Sequence, residues 1–142
     1  MKKMNYKIIG KYINNLDFNI PNPKAFFLLS KNISNYKINI DIKSNQVNEK
    51  IIEVKTTLKL SPVKDDFEKI NTKIVYSAII ELAEKIKDKK EIEKIILVKV
   101  PGDIYSELRK IFIFIFESSG FKDIKISQTV DFEKLYNLSK VQ

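Results

Sequence analysis

A chain of 142 residues with 44% hydrophobic and 31% charged side chains has the length and apolar content of one domain with a buried core, spanning residues 1–142. It contains no His, Cys or Trp, which excludes a Ser-His dyad, a thiol nucleophile, a zinc finger and a disulfide framework. The formal net charge of +8 invites a nucleic-acid reading. Against it, Arg109 is the only arginine among 26 basic residues, and the lysines are scattered between acids in every segment.

The amino terminus carries Lys2, Lys3 and Lys7 but no apolar run of signal-peptide length, so export of this chain is not expected and a cytoplasmic location is. Tyr6, Ile8, Gly10 and Tyr12, then Leu16, Phe18 and Ile20, alternate with polar residues. The phase changes at Ile13-Asn14-Asn15, which predicts a bulge in one strand. Pro21-Asn22-Pro23 ends that run, and a long connection to Asn35 is expected, holding the apolar cluster Ala25-Phe26-Phe27-Leu28-Leu29.

Tyr36, Ile38, Ile40 and Ile42 alternate with polar neighbours, as do Ile52, Val54, Thr56, Leu58 and Leu60. These runs predict hairpin partners in an antiparallel sheet, closed by Pro62 and a turn at Asp65-Asp66. A further strand is predicted from Ile70 through Thr72, Ile74 and Tyr76. Beyond Ser77 the pattern fits strand or helix equally.

The period then changes. Ile92, Ile95, Ile96 and Val100 have helical spacing, with a stop expected at Pro101-Gly102. Asp103 is expected to cap a second helix with a stripe of Ile104, Tyr105, Leu108, Ile111, Phe112, Ile115 and Phe116, ended by Gly120-Phe121 in a Schellman turn. Ile113 and Phe114 fall outside that stripe, so this helix must be covered on more than one side. Asp131 is the expected cap of a last helix carrying Phe132, Leu135, Tyr136 and Leu138. The longest apolar run, Ile111 to Phe116, is far short of the ~20 residues of a membrane-spanning helix.

Gly10, Gly102 and Gly120 stand too far apart for a glycine-rich phosphate loop, and the carboxylate cluster Asp65-Asp66-Glu68 reads as solvated acids of a proline-containing turn rather than a metal site. The expectation is a protein without catalytic residues, cofactor or metal. What is abundant is apolar surface, with nine Phe and six Tyr, more than one sheet face hides. A second copy of the chain or an apolar segment of another protein would cover the excess.

Several segments together resemble the SecB family of protein-export chaperones. Tyr12-Ile13-Asn14-Asn15-Leu16-Asp17-Phe18-Asn19-Ile20-Pro21-Asn22 resembles the family's first-strand signature, and Val75-Tyr76-Ser77 the end of its fourth strand. Val100-Pro101, Ile104-Tyr105 and Arg109 are similar to the opening of its long helix. Ser119-Gly120-Phe121 resembles that helix's end, and Asp131-Phe132-Glu133-Lys134-Leu135-Tyr136 a carboxy-terminal motif.

The resemblance implies an α+β fold, a four-stranded antiparallel sheet packed with C-terminal helices, assembled as a homotetramer from two dimers. It implies that unfolded preproteins are bound in apolar grooves and kept competent for Sec-dependent export. Groove residues are then expected at Phe26, Phe27, Leu28, Leu29, Tyr105 and Phe112, and oligomer contacts at Ile70, Thr72, Ile92, Ile96 and Phe114. The SecA translocation motor is a candidate partner. The family docks it through acids, whereas the matching positions here are Asn15, Asn19 and Lys69, and only six residues follow Tyr136. The alternatives are a SecB-like chaperone serving another client, such as an antitoxin, and a basic nucleic-acid-binding domain.

Overall fold

The computed structural model describes residues 5–31, 36–62, 71–121, 124 and 126–141. Four strands, β1 (Tyr6–Asn19), β2 (Tyr36–Gln46), β3 (Ile51–Pro62) and β4 (Asn71–Leu82), form one antiparallel sheet in the order β1-β4-β3-β2. This is the α+β architecture expected. The expected hairpin pairs Tyr36 with Pro62 at its open end and Gln46 with Ile52 at its closed end. β4 runs as strand to Leu82, which decides the ambiguity beyond Ser77. Ile70 and the Asp65-Asp66 turn lie outside the described residues.

Alternation sorts the side chains. Ile52, Val54, Thr56, Leu58 and Leu60 of β3 and Ile74, Tyr76, Ala78 and Ile80 of β4 are buried on one face, here called inner. The helices lie on that face. Thr56 is fully buried there, and its hydroxyl has no hydrogen-bond partner among the described residues. An unmade hydrogen bond in a dry core is a net cost, so Thr56→Val is expected to raise stability by about 1 kcal/mol, measured by urea unfolding.

The predicted phase change in β1 is present as a register shift between Ile13 and Asn15. A second shift, between Ile8 and Gly10, was not foreseen. Because each extra residue reverses the faces, Tyr12 moves to the outer face opposite Ser77, while Ile13, Leu16 and Phe18 return to the inner face opposite Tyr76, Ile74 and Thr72.

The expected long connection after β1 is instead a helix, α1 (Pro23–Lys31). The start signals are local: the Ala25 amide donates to Asn22 Oδ1 at 2.8 Å, and Pro23 occupies the first helical turn, where a missing N–H costs nothing. Ala25 and Leu29, four apart, are the side chains it buries.

The expected stop at Pro101-Gly102 is also absent. Helix α2 (Lys89–Lys94) passes through a π-helical segment (Ile95–Lys99) directly into α3 (Val100–Ser118). The Val100 amide donates to the Ile95 carbonyl, five residues back. Proline in a helix needs room at the preceding turn, and the widened π turn provides it for Pro101. Asp103 therefore caps nothing; its carboxylate accepts the Tyr6 hydroxyl at 2.5 Å and ties α3 to β1.

The end of α3 is as predicted. Gly120 has φ 97, its amide donates to the Glu117 carbonyl at 3.1 Å and that of Phe121 to the Phe116 carbonyl at 2.9 Å, the two bonds of a Schellman turn. Asp131 likewise caps α4 (Phe132–Val141), its Oδ1 accepting from the Lys134 amide at 3.0 Å. No described helix is long and apolar enough to cross a membrane.

Candidate functional site

Helix α3 lies over β3 and β4. Its Leu108, Phe112 and Phe116 are buried against the sheet, each 1% exposed or less. Near its carboxyl end, rings from three elements form a continuous series. Phe116 meets Phe112 at 4.8 Å between centroids, Phe18 of β1 at 5.1 Å and Phe121 at 5.8 Å. Phe121 stacks on Phe26 of α1 at 4.9 Å, and Phe26 meets Phe27 edge-on at 5.5 Å. The series ends in solvent, because Phe27 is 63% exposed beside the part-exposed Leu28. Gly120 is needed at this junction: its left-handed backbone favours glycine, and an added Cβ would stand 3.2 Å from the Phe26 ring.

A second apolar surface lies along β1. This strand is a sheet edge, and α3 does not cover it fully. Ile13 and Leu16 face the helix side yet are each 44% exposed. On α3, Glu107, Ile111 and Phe114 follow at spacings of four and three and so share one helix face. Glu107 points that face toward the same strand, accepting Lys11 at 2.6 Å and the Tyr76 hydroxyl at 2.9 Å. Phe114, further along, is 69% exposed.

The polar groups around these surfaces hold them in place. Hydrogen bonds from Lys11 and Tyr76 keep the Glu107 carboxyl below its ordinary range. Burial, and then the Asp103 carboxylate beside it, push the Tyr6 hydroxyl upward. Burial also raises Tyr105, whose hydroxyl donates to the Ser127 carbonyl at 2.6 Å. Arg109 donates from Nε to the Ile126 carbonyl at 3.2 Å. These two bonds fasten the segment before α4 to α3. On the outer face the Tyr12 hydroxyl donates to Glu53 and lowers its carboxyl.

The expected groove residues divide. Phe26, Phe27 and Leu28 reach the surface of α1, whereas Leu29, Tyr105 and Phe112 are 0%, 4% and 1% exposed and belong to the core. Their correction has one cause: Leu29 is on the buried side of a helix, not in a loop, and Tyr105 and Phe112 are on the sheet-facing stripe of α3. Among the expected interface residues, Phe114 is open, Ile92 and Ile96 are half-buried, and Ile70 is outside the described residues. Thr72 is 1% exposed and its hydroxyl donates to the Leu60 carbonyl, which removes it from the surface. Asn15 and Asn19 lie on the outer side of β1, away from α1, and Lys69 is outside the described residues. Phe18, Phe116, Phe121, Ile13 and Leu16, which the sequence pattern places in strand and helix, are not among the expected site residues. Phe18 and Phe121, which both meet Phe116, are legible as strand alternation and as the Gly-Phe helix stop.

A sheet with helices on one face, a short helix offering aromatic rings to solvent and an apolar edge strand define a class of protein built to bind other chains. The chain belongs to the SecB family: the family model for preprotein translocase subunit SecB matches residues 1–142. A protein of Pelagibacter ubique (strain HTCC1062), provisionally named protein-export protein SecB, is 42% identical over 132 residues, covering 93% of this chain and 94% of that one. Protein-export protein SecB of Anaplasma marginale (strain Florida) is 24% identical, covering 92% of this chain and 79% of its own. Among solved structures, a SecB-like chaperone of Mycobacterium tuberculosis in complex with a ChAD peptide from an antitoxin aligns with a TM-score of 0.55 at 7% identity, over 87% of this chain and 90% of that one. That likeness concerns the fold.

Proposed function

We propose that this protein is a holdase, a non-catalytic chaperone that binds unfolded preproteins and keeps them competent for export. The observation that carries the reading is the ring series running from the core to Phe27, in a member of the SecB family. A ring held out of water by nothing, yet anchored from beneath by a packed core, is a preformed contact for an apolar client segment. Preformation avoids the ordering cost that a flexible loop would meet. Phe26, Phe27 and Leu28 make the contact, over a floor of Leu29 and Phe121. Burial of client apolar area supplies about 25 cal/mol per Å2, and several such contacts along one client add by avidity.

Export rather than an antitoxin is the assigned task, supported by the whole-chain match and by the name of the 42%-identical relative. The reading includes a cytoplasmic location, a homotetramer built from two dimers through the Ile13–Leu16 edge and Phe114, and delivery of clients to the SecA motor.

Phe27→Ala tests the client site. Removing one exposed ring that becomes buried on binding is expected to weaken affinity for a reduced, unfolded client about tenfold, with sedimentation mass and melting temperature unchanged. Equal binding of the folded and unfolded client by the native chain, or an unaltered affinity in the variant, would contradict the proposal.

A further inference from the structure

The sheet face away from the helices carries a feature unrelated to client binding. A concave trough of about 400 Å3 opens there, across β2, β3 and β4 and reaching Asn15 on β1. Four lysines line it. They are arranged as two directly opposed cross-strand pairs, Lys43 with Lys55 and Lys59 with Lys73. Like charges in directly opposed positions repel and destabilise a sheet. The same face also sets opposite charges together, Lys7 opposite Glu81 at 3.4 Å and, at the trough's margin, Asp17 opposite Lys73.

None of the four lysines makes an ion pair with another described residue. Three acids stand near them, and one of these, Asp17 of β1, is directly opposite Lys73 and accepts a hydrogen bond from Asn15 Nδ2 at 3.2 Å. Asp41, opposite Thr57, lies between the two pairs, and Glu53, two residues from Lys55 along β3, is held by the Tyr12 hydroxyl. The lining itself, four lysines and Asp41, carries a net charge of +3, and Asp17 and Glu53 at its margins reduce this to +1.

We propose that this trough docks an acidic, extended polypeptide segment of a partner protein. Lys55 and Lys59 are four residues apart on β3, about 13 Å at 3.3 Å per residue, which is the distance between carboxylates at i and i+4 of an extended peptide. One acid seats over Lys43 and Lys55, the other over Lys59 and Lys73, and the residue midway faces Asp41 and is neutral or basic. The Asn15 and Asn39 amides at the trough wall already donate to Asp17 at 3.2 Å and to Ser61 at 2.9 Å, and each has a second N–H and an amide oxygen to offer a peptide main chain. A single nucleic-acid strand is disfavoured, since no aromatic ring lines the trough to stack a base and Arg109 is engaged elsewhere. The inference is independent of the client reading, which rests on α1.

The test is fluorescence anisotropy with a labelled peptide of glutamates at every fourth position, serines between and one lysine midway. At about 50 mM salt it is expected to bind at least tenfold more tightly than its glutamine counterpart, an advantage lost by about 300 mM. Lys59→Gln and Lys73→Gln, singly and together, are expected to weaken it about tenfold or more, and Lys59→Gln to do so without lowering the melting temperature, because it removes the repulsion with Lys73. Binding of a neutral unfolded client should be unchanged in the same variants. Equal affinity for the glutamate and glutamine peptides would overturn the proposal, as would tighter binding of a single-stranded oligonucleotide of equal charge that the same variants abolish. A lower melting temperature in Lys59→Gln would show that the lysines are structural and would overturn it too.

Discussion

Truncating Phe116 to alanine is expected to cost the protomer about 3–5 kcal/mol, the upper range for removing an aromatic side chain from a core. The site gives the reason for the high value. Phe116 is 1% exposed and stands at the branch of the ring series, touching Phe18, Phe112 and Phe121 from three directions. No single neighbour can move to fill the space without leaving another contact. The loss also spreads along the chain: Phe121, whose amide closes the Schellman turn on the Phe116 carbonyl, is the ring on which Phe26 and hence α1 rest. Urea unfolding should report the drop in stability, and amide exchange in α1 should accelerate more than in β3. A loss under about 1 kcal/mol would mean that α1 is held by other contacts.

Phe114, two residues earlier on the same helix, is expected to behave in the opposite way. It is 69% exposed, so Phe114→Asp should change protomer stability by less than about 0.5 kcal/mol. If the helix face it shares with Ile111 meets another copy, the same substitution places an unpaired carboxylate in an apolar contact. That penalty is several kcal/mol, which raises the dissociation constant by at least about a hundredfold. Light scattering at micromolar concentration should then show the assembly falling to smaller species. The same change at Val47, 60% exposed beyond the end of β2, should leave the mass as it was. An unaltered mass for Phe114→Asp would move the interface elsewhere.

Both results depend on one ordering, in which neighbouring positions of α3 have opposite fates. That ordering was only half legible. The stripe of Leu108, Phe112 and Phe116 follows from helical spacing, and so does the exclusion of Phe114 from it. Whether a stripe residue is core or groove does not follow, because a helix presents the same pattern to its own sheet and to a guest. Tyr105 and Phe112 were expected in a groove and lie in the core for that reason.

Local chemistry by itself determined the individual strands, the β2–β3 hairpin, the bulge near Asn14, the Schellman turn at Gly120 and the cap at Asp131, each dictated by residues close to one another in the chain. Helix α1 belonged to the same class, since Asn22 and Pro23 are ordinary start signals, but the proline-rich approach and the apolar density of Phe26-Phe27-Leu28-Leu29 concealed it. Contacts between distant segments decided the rest. A second bulge at Ile9 sends Tyr12 to the outer face, a π turn carries one helix past Pro101, and Asp103 serves Tyr6 across 97 positions of chain instead of capping its own helix. The lysine trough is of the same kind. Lys43, Lys55, Lys59 and Lys73 are unremarkable in a lysine-rich chain until strand register sets them opposite one another, and register is a property of paired strands that no single strand contains.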